Sequence, residues 1–245
     1  VAALGGGVVG DLGGFVAASY LRGVDLVQVP TTIVAQVDAS IGGKTAVNHP
    51  LGKNLIGAFH QPRLVLTDTG VLRSLPRAEV VAGLAEVVKH GIIRDPELFG
   101  FLEERVEDVV EMKIDAGELD WLIARNAGIK AAVVSADERE GGLRAILNYG
   151  HTIGHAIEAA TSYKRYRHGE AVLLGMIAAG ELAARRGLWE STIDRQRHDA
   201  LIERLGVPPG IGDVDPATIT ERTKADKKRV GGRHRFVLAR RIGAV

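Results

Sequence analysis

The sequence contains no cysteine. Disulfide frameworks and thiolate metal sites are therefore excluded, and the usage fits a reducing compartment. An excess of charge of either sign is also missing, with 31 basic residues against 30 acidic ones and a net charge of +1. General nucleic-acid binding needs a basic face, so it is not the expected role. Long apolar runs are absent too. The longest spans residues 171–180 between Glu170 and Glu181, about half of the roughly 20 residues that cross a bilayer, so no membrane partner is expected. Internal repeats and low-complexity tracts are lacking. What remains is ordinary for a globular chain: 245 residues, 46% hydrophobic and 25% charged, enough for one large or two ordinary domains.

Against that background the histidines stand out. His151 and His155 lie four apart in a helical run, so they share one helix face. Gly150 and Gly154 flank them and leave room for something to approach the backbone. His168 follows thirteen residues after His155, putting three of the chain's eight histidines within eighteen residues. A metal site would use such a cluster; a solvated face, or core histidines bonded to backbone, would also produce the spacing. No glutamate follows His151 directly, so zinc-protease chemistry is not indicated.

The chain opens on an apolar run, residues 1–4, and meets Gly5-Gly6-Gly7 at once. That reads as a fold entered partway, and an N-terminal portion is expected to precede it. Residues 8–20 continue as an apolar helix, so strand, glycine turn and helix start succeed one another, the geometry that sets backbone N–H groups against a phosphate. Gly5, Gly7 and Gly10 match the dinucleotide pattern by letter, and a tight strand-to-helix connection accounts for them equally well. Residues 25–30 and 63–68 read as strands, with Thr31 and Thr32 as helix caps. Between them, 38–54 is expected to be a loop region dense in glycine and polar groups. Gly42-Gly43-Lys44-Thr45 resembles half of a P-loop, but the first glycine is misplaced, and a nucleotide triphosphatase is rejected. Lys44 and Lys53 remain candidates for anionic groups, or solvated lysines.

From about residue 75 helical periodicity takes over. Helices are expected over 78–90, ending at Gly91, and over 95–107, 119–135, 152–160, 170–186, 192–205 and 217–223, with a break at Pro208-Pro209-Gly210 and a short strand at 236–238. Glu86 and Lys89, three apart, are expected to form a surface ion pair. Lys224, Lys227, Lys228, Arg229, Arg233 and Arg235 make a local basic patch, a solvated segment or a face for a phosphate. The expected architecture is α/β plus all-α, divided into residues 1–75 and 76–245, and ligands often lie between such domains.

Six motifs then recur together and in order: Gly-Gly-Gly-Val-Val-Gly-Asp at 5–11, Pro-Thr-Thr at 30–32, Val-Asp-Ala-Ser-Ile-Gly-Gly-Lys-Thr-Ala-Val-Asn at 37–48, Gly-Lys-Asn at 52–54, Ala-Glu-Val-Val-Lys-His-Gly at 85–91 and Asn-Tyr-Gly-His-Thr-Ile-Gly-His at 148–155. The set closely resembles the 3-dehydroquinate synthase family of the shikimate pathway, over nearly the whole chain. The resemblance implies a partial Rossmann-like NAD-binding domain followed by an α-helical domain holding one divalent metal, zinc or cobalt. It assigns the metal to Glu86, His151 and His168, a carboxylate and two neutral imidazoles that leave positions open for substrate oxygens. It places NAD over Gly7, Val8, Val9, Gly10 and Asp11, near Thr31, Thr32, Lys44 and Lys53, with Val71, Leu72, Arg73 and Ser74 at the adenosine end. Substrate contacts carry over to Asp38, Asn54, Lys89, Lys130, Arg144, Asn148 and His155, and to one of Lys227 and Lys228. Arg22 would reach the substrate phosphate of a neighbouring subunit, implying a homodimer, and the pathway implies a cytoplasmic enzyme. The family also carries a preceding βαβ region with further NAD contacts, including an acidic residue for a ribose, and extends somewhat past residue 245.

The implied reaction converts 3-deoxy-D-arabino-heptulosonate 7-phosphate to 3-dehydroquinate and phosphate. The C5 alcohol is oxidised transiently by NAD, phosphate is eliminated, the ketone is reduced again, and the opened ring closes by an aldol step. Such a substrate, a dianionic phosphate with a carboxylate, calls for several Lys and Arg. His155 suits a proton shuttle near the C5 hydroxyl. The rivals are another sugar-phosphate cyclase, such as a 2-deoxy-scyllo-inosose synthase or a sedoheptulose-7-phosphate cyclase, a glycerol dehydrogenase-type enzyme performing net redox, and a fragment that folds without catalysis.

Overall fold

The structure is a computed structural model. It describes the backbone of residues 1–49, 52–206, 211–224, 229–230 and 233–245, and the side chains of these except 52, 53, 224, 229, 230, 233 and 234. The expected break at Pro208-Pro209-Gly210, Lys227 and Lys228, the Lys53 side chain and most of the basic patch lie outside the described residues. The chain forms two compact units: Val1–Gly83 with Ile114–Glu140, and Leu84–Lys113 with Gly141–Val245. The sequence reading drew a single cut at 75/76; these units alternate along the chain.

The first unit holds a three-stranded parallel sheet in the order β1 (Ala2–Gly5), β2 (Val27–Pro30), β5 (Leu64–Val65). Helix α1 (Gly7–Ser19) lies against it, and small residues set the distance. A Cβ at Gly13 would stand 2.8 Å from the Ala3 Cβ, and one at Gly10 2.8 Å from Gln28 Oε1. Helix α1 exposes Val8, Leu12 and Val16. The expected loop over 38–54 is corrected: residues 44–49 and 52–59 form an antiparallel ribbon, β3 (Lys44–His49) and β4 (Gly52–Phe59), with a register shift between Val47 and His49. Of the glycines that suggested a loop, Gly42 and Gly43 do turn the chain, at φ +102° and +67° just before β3, while Gly52 opens β4. Within the ribbon Gly57 allows close approach, since a Cβ there would stand 2.1 Å from the Thr45 carbonyl oxygen. Thr32 caps as expected, its Oγ1 accepting the Ala35 N–H at 3.2 Å ahead of the wide turn Ala35–Ala39. Helix α4 (Ala116–Ala136) completes the unit. It starts with a reciprocal cap, Asp115 accepting from the Glu118 N–H at 2.8 Å and Glu118 from the Asp115 N–H at 3.2 Å.

Helix α2 (Arg77–Arg94) begins in the first unit and runs into the second. The second unit adds α3 (Pro96–Val110), α5 (His151–Ala160), α6 (His168–Arg185), α7 (Thr192–Arg204) and α8 (Pro216–Lys224). Its core includes Val87, Val88, Ile92, Leu98, Phe99, Leu102, Val172, Leu173 and Met176, all fully buried. Two pairs fasten α7 to α3: Arg197 to Glu103 at 2.6 Å and Arg204 to Glu107 at 2.7 Å. Three expectations are corrected here. Gly91 does not end α2, which runs on to Arg94; its role is contact, because a Cβ there would lie 3.2 Å from the Phe99 backbone. Glu86 and Lys89 do pair, but in the core, each side chain 1% exposed. Residues 236–238 form no strand; a short hairpin, β6 (Arg229–Val230) with β7 (Arg233–His234), stands before them instead.

Candidate active site

The histidine cluster belongs to the second unit, and glycines bring it together. Gly150 adopts φ +75° at the start of α5, and a Cβ there would stand 2.5 Å from Met176 Cγ. A Cβ at Gly154 would lie 2.9 Å from the Ala171 carbonyl oxygen, and one at Gly175 2.0 Å from the Gly150 carbonyl oxygen. The approaching partner that Gly150 and Gly154 make room for is therefore helix α6. With the two backbones this close, His151 and His155 on α5 meet His168 at the first position of α6, ring centroids 5.3 Å (His151–His168) and 5.7 Å (His155–His168) apart.

Glu86 comes in from α2. Its Oε2 binds the Lys89 ammonium. Its Oε1 is buried without a hydrogen-bond donor and lies 3.3 Å from His151 Nε2 and 3.7 Å from His168 Nε2. Both imidazoles are engaged on their other nitrogen, His151 Nδ1 on the Tyr149 carbonyl at 3.1 Å and His168 Nδ1 on Glu158 Oε2 at 3.2 Å. A neutral histidine that donates from Nδ1 presents a lone pair at Nε2. Burial, reinforced by the Lys89 charge, holds His151 below the usual histidine range and so neutral. Burial alone would raise Glu86, but the Lys89 ammonium beside it outweighs burial and holds the carboxyl well below its ordinary range. In the tautomers that donate from Nδ1, both Nε2 lone pairs would converge on Glu86 Oε1, which has no hydrogen-bond donor of its own. A divalent cation there would satisfy all three, and a nitrogen–oxygen donor set suits zinc or cobalt.

The other expected substrate residues of this unit lie in or beside this region of the chain. Arg144, 2% exposed, and Asn148 lie in the tight turn Leu143–Asn148 just before α5. Asn148 shares a small concavity with Gly150, Ile153 and Phe236.

A second polar cluster lies in the first unit. The Lys130 ammonium on α4 binds the Asp38 carboxylate and, at 3.2 Å, the Asp38 carbonyl. Asp11 on α1 faces the same group. Burial, and then the Asp38 charge, push its carboxyl up to about 6 against the opposing pull of Lys130 and of a hydrogen bond from Asn54. Asp11, Asp38, Asn54 and Lys130, four expected site residues from four elements, thus form one cluster. Residues 7–10 are the first turn of α1, which is capped by Gly6 and has no acidic side chain within that turn, leaving the helix's positive end open to an anion such as a pyrophosphate. The Thr31 N–H donates to the Gly5 carbonyl at 2.9 Å. Lys44 pairs with Glu140 at 2.5 Å. In the 70–74 turn Leu72 is core, Arg73 donates to the Ile114 carbonyl at 3.1 Å, and Ser74 closes on Val71 at 2.8 Å. Arg22 is exposed, in left-handed backbone at φ +67°.

Two features escaped the sequence reading. Glu158, 2% exposed, sits behind His168; its place seven after His151 on the same helix face was the available signal. Tyr149 is buried with its hydroxyl 2.9 Å from His198 Nε2, and His198 Nδ1 is 2.7 Å from Asp199. Nothing in the spacing joins residues 149 and 198.

The profile described as 3-dehydroquinate synthase N-terminal matches residues 1–82, and the profile described as 3-dehydroquinate synthase C-terminal matches residues 83–229. A 3-dehydroquinate synthase of Nostoc punctiforme is 54% identical over 99% of this chain and 67% of its own length. Among solved structures, a 2-epi-5-epi-valiolone synthase from Streptomyces hygroscopicus with NAD+ and Zn2+ bound has a TM-score of 0.91 at 31% identity, covering 100% of this chain and 67% of that one. A 2-deoxy-scyllo-inosose synthase complexed with carbaglucose-6-phosphate, NAD+ and Co2+ has a TM-score of 0.87 at 34% identity, covering 99% and 67%. The chain spans about two thirds of the length of each.

Proposed function

The chain belongs to the 3-dehydroquinate synthase family, and on that premise we propose that it converts 3-deoxy-D-arabino-heptulosonate 7-phosphate to 3-dehydroquinate and phosphate, with NAD, one divalent metal and no net oxidation. The observation that carries this reading is the convergence of His151 Nε2 and His168 Nε2 on the buried Glu86 Oε1. The higher identity to a dehydroquinate synthase, 54% against 31% and 34% for the two other cyclases, favours this substrate over theirs.

When bound, NAD supplies a reversible hydride acceptor and the metal polarises the substrate's C5 oxygen. The chain's own residues bind, orient and move protons. Lys89 grips one carboxylate oxygen of Glu86 and so turns the other toward the histidines. In the second unit, taken by itself, Arg144 would supply positive charge for the substrate's anionic groups and Asn148 would meet a hydroxyl, while Lys89, buried on Glu86, acts through that carboxylate. In the first unit, taken by itself, Lys130 would supply charge, and Asp38 and Asn54 would meet hydroxyls. His155, one turn beyond His151, is placed to take the C5 hydroxyl proton and return it. The first turn of α1 would hold the NAD pyrophosphate, Asp11 and Lys44 flanking it, with Lys53 and the 71–74 turn toward its other parts. Arg22 would meet the substrate phosphate of a second copy in a cytoplasmic homodimer.

A phosphate-release assay with the heptulosonate phosphate, run with NADH absorbance in parallel, tests the reading. Phosphate release without NADH build-up is expected. NADH formed in proportion to substrate consumed would place the chain with the metal-dependent alcohol dehydrogenases instead.

A further inference from the structure

Both histidines proposed to hold the metal are fastened through Nδ1, but to acceptors of different kinds. His151 is held by a backbone carbonyl, that of Tyr149 at 3.1 Å, which no side-chain replacement removes. His168 is held by a side chain, Glu158 Oε2 at 3.2 Å. The His168 ring is 37% exposed while Glu158 is 2% exposed. Ring contacts with His151 and His155 limit where the imidazole lies but do not choose which nitrogen carries the proton, and the buried carboxylate behind Nδ1 does.

The chain around Glu158 is shaped for this. The Glu158 carbonyl accepts the Tyr163 N–H at 2.7 Å and the Thr161 hydroxyl at 3.3 Å, closing the end of α5. Ser162 and Tyr163 both take left-handed backbone, each at φ +56°, turning the chain sharply back. That turn returns His168 to the carboxylate of a residue in the last turn of the preceding helix. With Nδ1–H donated to Glu158, the His168 Nε2 lone pair faces Glu86 Oε1 at 3.7 Å.

We propose that Glu158 is a positioning residue for the metal, its carboxylate accepting the Nδ1–H of His168 and thereby fixing the tautomer and aim of Nε2. Such partners behind a ligating imidazole set its orientation and raise its basicity, and their loss typically weakens metal binding about 10–100-fold. The inference rests on the metal reading given above. It adds a residue that touches neither metal nor substrate and acts through His168.

The test measures Zn2+ affinity by competition with a chromophoric chelator, and the visible d–d spectrum of the Co2+ form, for the unaltered protein, Glu158→Ala, Glu158→Gln and Glu86→Ala. Far-UV circular dichroism of each metal-free form checks folding. Glu158→Ala is expected to bind Zn2+ about 10–100-fold more weakly and to change the Co2+ bands. Glu158→Gln, which keeps an acceptor oxygen, should recover most of the affinity and the spectrum. If Glu158→Ala fails to fold, the Gln variant decides alone, near-native Co2+ bands supporting the role and unrelated bands overturning it. Zn2+ affinity within twofold of the unaltered protein in Glu158→Ala, or a Gln variant as weak as Ala, overturns the inference. In either case loss of binding in Glu86→Ala leaves the metal site standing. No metal binding by the unaltered protein overturns both.

Discussion

At the scale of single residues, the account turns on where protons are absent. His151 Nε2 and His168 Nε2 approach a Glu86 oxygen that has no hydrogen-bond donor. Replacing His151 or Glu86 by alanine should abolish turnover and lower bound metal from stoichiometric to trace, as read by atomic absorption. Glu86→Ala should also leave the Lys89 ammonium buried and unpaired, which costs about 3–5 kcal/mol, so its metal-free form should melt well below that of His151→Ala. The family motifs made these residues legible, but spacing alone gave the Glu86–Lys89 pair the wrong setting. An i, i+3 pair looks the same on a surface and in a core, and only the surrounding helices decide. Asp11 gives a pH prediction. Its carboxyl, raised from 3.8 to about 6 mainly by burial, keeps a proton in the folded state that the unfolded chain releases between those values. The group therefore costs stability increasingly as pH rises from about 4 to 6, and fully above. Asp11→Asn should stabilise the protein by about 1–2 kcal/mol at pH 7.5 after allowance for solvent screening, and the gain should shrink at pH 4.5, as followed by thermal melts.

At the scale of elements, glycine decides how close two helices lie, and so whether three histidines become neighbours. Gly175→Ala would set a methyl group 2.0 Å from the Gly150 carbonyl oxygen. It should destabilise by about 3 kcal/mol or more in urea titrations, through overpacking that backbone cannot relieve, and it should weaken metal binding. Asp115→Ala removes a reciprocal cap on α4 and should cost about 1 kcal/mol with little effect on metal. Most helices were readable from periodicity to within a few residues, because each buries one face. The β3–β4 ribbon was not, because the glycines that do turn the chain, Gly42 and Gly43, stand next to one that opens a strand, Gly52, and the letters do not tell them apart. Gly91 misled for the same reason: a glycine that admits Phe99 is indistinguishable by sequence from one that ends a helix.

At the scale of the whole molecule, the α/β and all-α characters were visible in composition along the chain. The return of Ile114–Glu140 to the first unit was not, since helical periodicity does not say which core a helix joins. Lys130 shows why this matters: it lies on a helix amid the all-α stretch yet pairs with Asp38. Family membership joins these parts into a proposed enzyme, and the proposed homodimer predicts twice the chain mass in sedimentation equilibrium. The central claim is the metal assignment. Anomalous diffraction at the zinc edge from Zn2+-soaked crystals tests it most directly. The account predicts one strong peak about 2.0–2.2 Å from Glu86 Oε1, His151 Nε2 and His168 Nε2, with His155 outside the coordination sphere. A peak held by His151, His155 and His168, a set whose ligand atoms lie within 4.8 Å of one another, with Glu86 left aside, or no peak at all, would contradict it.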